Sequence, residues 1–136
     1  MTATPKPRAT FRKAERLSGK SAIQGVIEKG RAMNEPPFRL VGRIMDVQPM
    51  ATARIAFAVP KRYLPRAVDR NRQKRLMREA FRLNKHPWIE RLRAHGVRCA
   101  WLLIFQGRAP ITQAETSRTT ILLMDRWLQE HLPTRP

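Results

Sequence analysis

Residues 66–82 read Arg-Ala-Val-Asp-Arg-Asn-Arg-Gln-Lys-Arg-Leu-Met-Arg-Glu-Ala-Phe-Arg, seven basic residues opposed only by Asp69 and Glu79. The charge is ordered. At about 100° per residue on a helix, Asn71, Lys74, Arg75, Arg78 and Arg82 fall on one side. Leu76, Met77, Ala80, Phe81 and Leu83 fall on the other. Such a helix can bury one face and offer cations to phosphate oxygens with the opposite one. Arginine forks onto phosphate and onto base edges in a way lysine cannot match, and contacts of both kinds gain sequence-independent affinity from counterion release. Asn71 adds an amide that can both donate and accept. The structural alternative is a solvated helix laced by pairs such as Glu79 with Arg75 or Arg82, but two acids cannot neutralise seven bases.

Other chemistries find little support. The chain carries 10 acidic residues against 28 basic ones, a formal charge of +18 over 136 residues. Folding does not need that excess and self-repulsion opposes it, so a polyanionic partner is implied: nucleic acid first, an anionic membrane surface second. The acids are scattered, whereas a protein nuclease working through two metals needs clustered carboxylates. His86, His95 and His131 with the lone Cys99 show no zinc spacing. No Gly-rich phosphate loop or hydrolase motif is present. No catalytic and no metal-ligating residues are therefore assigned. Cys99 lies in an apolar run and reads as a small core residue. Trp88, Trp101 and Trp127 read as core anchors.

The elements that must position the basic helix follow from periodicity. A first helix is expected over 20–29, capped by Ser18 and ended by Gly30, with Ile23, Val26 and Ile27 on one face. Pro36-Pro37 interrupts the chain. Residues 38–47 alternate as a strand, with Phe38, Leu40 and Ile44 to one side and Arg39, Val41 and Arg43 to the other. Residues 48–52 read as a turn, and 54–59 alternate again. The two strands suggest an antiparallel pair with one core face and a shallow positive trough on the other. The basic helix should stop near His86 because Pro87 lacks the N–H that the ladder needs. Pro87 would then open a short helix closed by Gly96. Residues 97–105 form a near-continuous apolar run suited to a central strand. Thr112 and Glu115 have the spacing of a capping box before a last helix carrying Ile121, Met124, Leu128 and Leu132. With 42% hydrophobic residues the chain can build one core. The expected organisation is a flexible basic tail over 1–10, a single α/β domain over 11–132 and a short tail over 133–136. The fold class is α+β, with helices packed on a small sheet.

The run Arg70-Asn71-Arg72, then Lys74-Arg75, then Arg78-Glu79-Ala80-Phe81, resembles the signature of the protein subunit of bacterial ribonuclease P. Arg16-Leu17, Gly30, the two strands, Lys61-Arg62 and the C-terminal strand and helix fall in the order that family shows, so the resemblance covers roughly residues 11–132.

The resemblance implies a four-stranded mixed sheet packed with three helices, a left-handed βαβ crossover and a ribosomal-protein-like α/β sandwich. The fourth strand would be a short piece that periodicity does not reveal. It also implies a division of labour. A catalytic RNA subunit, bound one-to-one, removes the 5′ leader of precursor tRNA with Mg²⁺ held mainly by RNA and substrate. Arg70, Asn71, Arg72, Lys74, Arg75 and Arg78 would dock on that RNA. Ile23, Ile27, Arg39, Val41, Arg43 and Lys61 would line a cleft for the single-stranded leader. Ile23, Ile27 and Val41 stand where family members often carry aromatics, so apolar contact would replace base stacking. A cytoplasmic location is expected, with no membrane association and no obligate protein partner. A ribosomal or general RNA-binding protein shares the charge and size but leaves the signature helix unexplained. A DNA-binding regulator would need a helix-turn-helix partner that is not evident.

Overall fold

Parallel strands cannot be joined by a tight turn, and this constraint shapes the domain. The computed structural model describes residues 11, 13–45 and 53–132. A single 3-10 turn, Lys13–Glu15, precedes helix α1, Lys20–Lys29. Strands β1 (Arg31–Glu35), β2 (Phe38–Met45) and β3 (Ala53–Ala58) follow, then helix α2 (Ala67–His95), strand β4 (Arg98–Phe105) and helix α3 (Gln113–His131). The sheet order is β1-β2-β4-β3. β2 runs antiparallel to β1 and to β4, and β3 is parallel to β4, with Ile55 opposite Trp101. The long connection that β3 and β4 require is α2.

The expected pairing of the two alternating strands is therefore wrong: β4 lies between them. β4 is buried along most of its length, with Trp101, Leu103 and Phe105 inaccessible on one face and Ala100 and Leu102 on the other. A strand apolar on both faces is most stable in the middle of a sheet. The fourth strand is β1, Arg-Ala-Met-Asn-Glu, in which only Met33 is buried. An edge strand with one core residue leaves almost no period-2 signal. The Pro36-Pro37 pair, joined by a cis bond, turns the chain from β1 into β2.

Nor is the core one-sided. α2 and α3 cover one face of the sheet, over a cluster that includes Phe38, Leu40, Ile55, Met77, Phe81, Trp101 and Trp127. α1 covers part of the other, over Leu17, Val26, Val41, Ala100 and Leu102. All three tryptophans are core residues, as their setting implies. Trp88 Nε1 donates to Asp125 Oδ1 at 2.8 Å and Trp127 Nε1 donates to the Arg31 carbonyl at 2.9 Å.

α1 has the expected ends at Lys20 and Lys29, and the Gly30 N–H closes it on the Val26 carbonyl at 2.8 Å. Its N-cap is Gly19 rather than Ser18. Gly19 takes φ 91°, a left-handed conformation that costs glycine little, and no side chain caps the helix. α2 does not break at Pro87. It runs 29 residues, about 44 Å at 1.5 Å per residue. Proline removes one ladder donor and crowds the carbonyl four residues back, but buried Lys85, Trp88 and Leu92 hold the helix to the core on both sides of it. Leu83, expected on the buried side, is 51% exposed. Gly96, at φ 64°, ends α2 with its N–H on the Arg93 and Leu92 carbonyls, and the Val97 N–H reaches Leu92. Thr112 caps α3, accepting from the Glu115 backbone N–H at 3.1 Å. The tails over 1–10 and 133–136, the end of the strand expected over 38–47 and the turn expected over 48–52 lie outside the described residues.

Gly42 on β2 backs directly onto the rings of Trp127 and Trp101, where a Cβ would overlap both. Gly42→Ala should destabilise the domain by about 1–3 kcal/mol, the range of an overpacked core, read as a lowered thermal midpoint. Cys99 is 2% exposed, and burial pushes its thiol well above the ordinary value. A thiol-specific reagent at pH 8 should leave Cys99 unmodified in the native protein and modify it fully in denaturant.

Candidate RNA interface on the long helix and the adjoining groove

α2 presents its cations because its opposite face is dry. Gln73, Met77, Ala80, Phe81, Lys85, Trp88 and Leu92 form that dry face. Gln73 sits inside the basic run yet is fully buried. Its Nε2 donates to Thr116 Oγ1 at 3.1 Å and its Oε1 accepts from the Ile111 N–H at 3.3 Å. This amide fastens the basic end of α2 to the start of α3. Nothing in the sequence separates Gln73 from its solvated neighbours except its helical phase.

Asn71, Arg72, Arg75 and Arg78 are exposed. None of the three arginines has a carboxylate within ion-pair distance among the described residues. Glu79 is bound by Arg82, whose Nε donates at 3.0 Å, so one of the two pairs open on sequence grounds forms. That hydrogen bond holds the Glu79 carboxyl below its ordinary value and raises Arg82. Arg70 differs from its neighbours. Its Nη1 donates to the Leu64 carbonyl at 2.9 Å and the Pro65 carbonyl at 2.7 Å, so it braces the entry to α2.

Lys74 and Arg78 turn toward the sheet edge. They line a hollow of about 410 Å³ with Phe11, Arg16, Ser18, Ile23, Ala56 and Phe57 among others. It adjoins a second hollow of about 570 Å³ lined by Ile23, Ile27, Arg39, Arg62, Ile104 and Gln106 among others. Ile23, Ala56 and Phe57 belong to both, so the two form one groove between α1 and the β3 side of the sheet. Its floor is apolar and its rims are basic.

One wall of the groove is the segment before α1. The Leu17 N–H donates to the Ile55 carbonyl at 2.9 Å, and Arg16 bridges Ile55 in parallel, covering the otherwise open edge of β3. Lys85 Nζ, buried on α2, reaches Glu15 at 2.6 Å and ties this segment down. Phe11 packs 5.8 Å from Phe57 and 5.9 Å from Phe81, under the Arg16 guanidinium.

Of the residues expected in a cleft, Ile23, Ile27 and Arg39 meet in this groove. Val41 does not reach it: it is 5% exposed, packed beneath α1. Arg43 lies on the other flank of α1, against Gly25, in a different hollow. Lys61 is exposed but does not line the groove; its neighbour Arg62 does, with its guanidinium 4.9 Å over the Tyr63 ring. Two adjacent bases in a turn cannot be told apart by sequence, because the turn alone decides which faces inward. Among the described residues no three His, Cys, Asp or Glu gather as a metal site, and no helix is long and apolar enough to cross a membrane.

The fold and the site define a basic α/β sandwich with one cation-bearing crossover helix and one apolar-floored groove. The family model described as Ribonuclease P matches residues 11–122, and the chain belongs to that family. A ribonuclease P protein component of Porphyromonas gingivalis strain W83 is 41% identical over 83 residues, 61% of each chain. That of Chlorobaculum tepidum is 40% identical over 77 residues, 54% of this chain and 50% of its own. The matched stretches thus span between half and about three-fifths of those relatives. The RNase P protein of Staphylococcus aureus superposes with a TM-score of 0.66 at 21% identity, covering 85% of this chain and 96% of its own. That of Thermotoga maritima gives 0.63 at 19%, covering 82% and 96%. The expected three helices and four-stranded mixed sheet are those of these structures.

Lys85→Met leaves Glu15 facing an apolar side chain. Breaking a buried pair by removing one partner costs about 3–5 kcal/mol, and Glu15 is slightly wet, so a loss of roughly 2–3 kcal/mol is expected in denaturant unfolding. Adding Glu15→Leu should recover most of it.

Proposed function

We propose that this chain is the protein subunit of a ribonuclease P ribonucleoprotein that removes the 5′ leader from precursor tRNA in the cytoplasm. Bond breaking belongs to the RNA subunit, bound one-to-one. The observation that carries this reading is the outer face of α2. Asn71, Arg72 and Arg75 stand exposed within the family's signature, and both arginines lack a carboxylate partner among the described residues. Held by a buried opposite face, these donors are pre-organised, which lowers the entropy lost when they meet phosphates. Lys74 and Arg78 extend the contact toward the groove. Arg70 acts mainly by fixing the helix start, with its remaining guanidinium N–H groups left for RNA.

The groove is the path for the single-stranded leader. Ile23 and Ile27 offer apolar contact to sugars and bases, and Arg39 and Arg62 take phosphates at the rim. Aliphatic side chains discriminate bases poorly, so leaders of varied sequence should be accepted. Among the described residues the acids do not gather, and the reading leaves Mg²⁺ to the oxygens of the RNA subunit and the substrate. The protein's part is electrostatic: it lowers the repulsion between two polyanions and lengthens the bound life of substrates that carry a leader.

The test is reconstitution with the cognate RNA subunit, Mg²⁺ and a precursor tRNA. Protein alone should be inert, and RNA with protein should cut once, at the mature 5′ end, far better than RNA alone at low salt. Arg72→Gln and Arg75→Gln should each weaken assembly and flatten the log–log salt dependence by roughly 0.7–0.9 per lost contact. Arg39→Gln and Arg62→Gln should weaken precursor more than mature tRNA. Correct cleavage by a protein preparation stripped of RNA would refute the reading, and equal loss for both tRNAs would remove the groove from it.

A further inference from the structure

α1 is a ridge across the sheet, and its two flanks differ. Ile23 and Ile27 face the groove, and Val26 points down onto the sheet. On the far flank lie Gly25 and Lys29. Arg39 and Arg43, on the same face of β2, are separated by four residues, about 13 Å along a strand. The ridge therefore leaves Arg39 in the groove and Arg43 outside it.

Arg43 belongs to a separate hollow of about 550 Å³, lined by Lys29, Arg31, Gly42, Arg43, Ile44, Trp127, Glu130 and His131. It shares no residue with the groove. The sheet is notched here. β1 begins with Arg31 opposite Gly42, so, among the described residues, Arg43, Ile44 and Met45 of β2 extend past it with β4 alone as strand neighbour.

Three permanent cations meet one carboxylate, Glu130. Lys29 and His131 sit in the last turns of α1 and α3, where the helix dipole alone favours a basic residue. Arg31 and Arg43 have no such reason to be basic. Among the described residues neither has a carboxylate within ion-pair distance. The Arg43 guanidinium lies close against α1 at Gly25: a Cβ there would stand 3.1 Å from Nη1. The floor is firm, because Trp127 is fixed by its hydrogen bond to the Arg31 carbonyl, and His131 packs on its ring at 4.7 Å. Arg31, paired with Gly42, leaves β1 on the α3 face and Arg43 leaves β2 on the α1 face, so the two guanidiniums flank the notch at the sheet edge from opposite faces, with Lys29 beside them; forked donors so placed suit a phosphate lying against that edge.

We propose that this notch is a second phosphate site, taking a backbone phosphodiester of RNA on the flank of α1 away from the groove. Arg31 and Arg43 supply forked donors and Lys29 supplies a point charge. The proposal rests on the RNA-binding reading above. It makes the protein a clamp with basic contacts on both sides of the sheet: α2 by β3 on one, the notch by β1 on the other.

The experiment uses the full chain with Lys29→Gln and Arg31→Gln together, both at exposed positions, and separately with Arg43→Gln. Binding to the RNA subunit, to mature tRNA and to precursor tRNA is measured over a salt series, with Arg72→Gln as the reference variant and thermal midpoints as the check on folding. Expected is a salt slope lowered by roughly 1.4–1.8 for the double variant on whichever RNA occupies the notch, and by about half that for Arg43→Gln. The midpoint and the ratio of precursor to mature affinity should stay unchanged. Unchanged slopes for all three RNAs, while Arg72→Gln still flattens its own, would overturn the second site and leave the α2 interface standing. A slope change confined to precursor, with loss of that ratio, would also overturn it by making the notch an extension of the leader path. Unchanged slopes for every variant, Arg72→Gln included, would remove both readings together.

Discussion

The parallel pairing of β3 with β4 is the constraint on which the rest depends. It obliges the chain to return along the domain between two neighbouring strands, and α2 is that return. The helix that carries the densest charge is thus also the crossover that closes the core. Its inner face is anchored by Met77, Phe81, Trp88 and Leu92, and its outer face has no freedom to rotate. Repulsion among the cations is opposed by apolar burial on the other side, so charge is presented without being neutralised.

The same economy governs the sheet's other face. α1 leaves bare strand on both of its flanks. One flank becomes a groove with an apolar floor, walled by the segment that Lys85 and Glu15 hold against α2. Beyond the other, at the edge where β1 stops short of β2, lies a basic notch that Trp127 and His131 of α3 also line. Both hollows follow from element lengths: a ten-residue helix over eight-residue strands, beside an edge strand of five.

Much of this was legible in the chain. The limits of α1, the central position of residues 98–105, the caps at Thr112 and Gly96 and the amphipathic basic helix all came from local rules: periodicity, glycine's conformational range and side-chain capping. Where local rules fell short, packing set the outcome. Pro87 stays helical because tertiary anchors lie on both sides of it. Val41 is buried because α1 crosses above it, although alternation alone places it with Arg39 and Arg43 on the trough side. Arg70 turns to the Leu64 and Pro65 carbonyls because it falls on the inner side of the first turn of α2. Long-range neighbours decided the first two outcomes, and the path of the connector five and six residues back decided that of Arg70.

The sequence by itself determined that there would be a helix with one dry face and one cationic face, an apolar strand at the centre of a sheet and an unneutralised positive surface, because charge, period and residue type act over a few positions. Which cations share a hollow was decided only by the tertiary structure. Arg39 and Arg43 look equivalent along β2, and Lys61 and Arg62 look equivalent in their turn. Their separation depends on where α1 crosses the sheet and how the chain enters α2, which is set by packing between segments far apart in the chain.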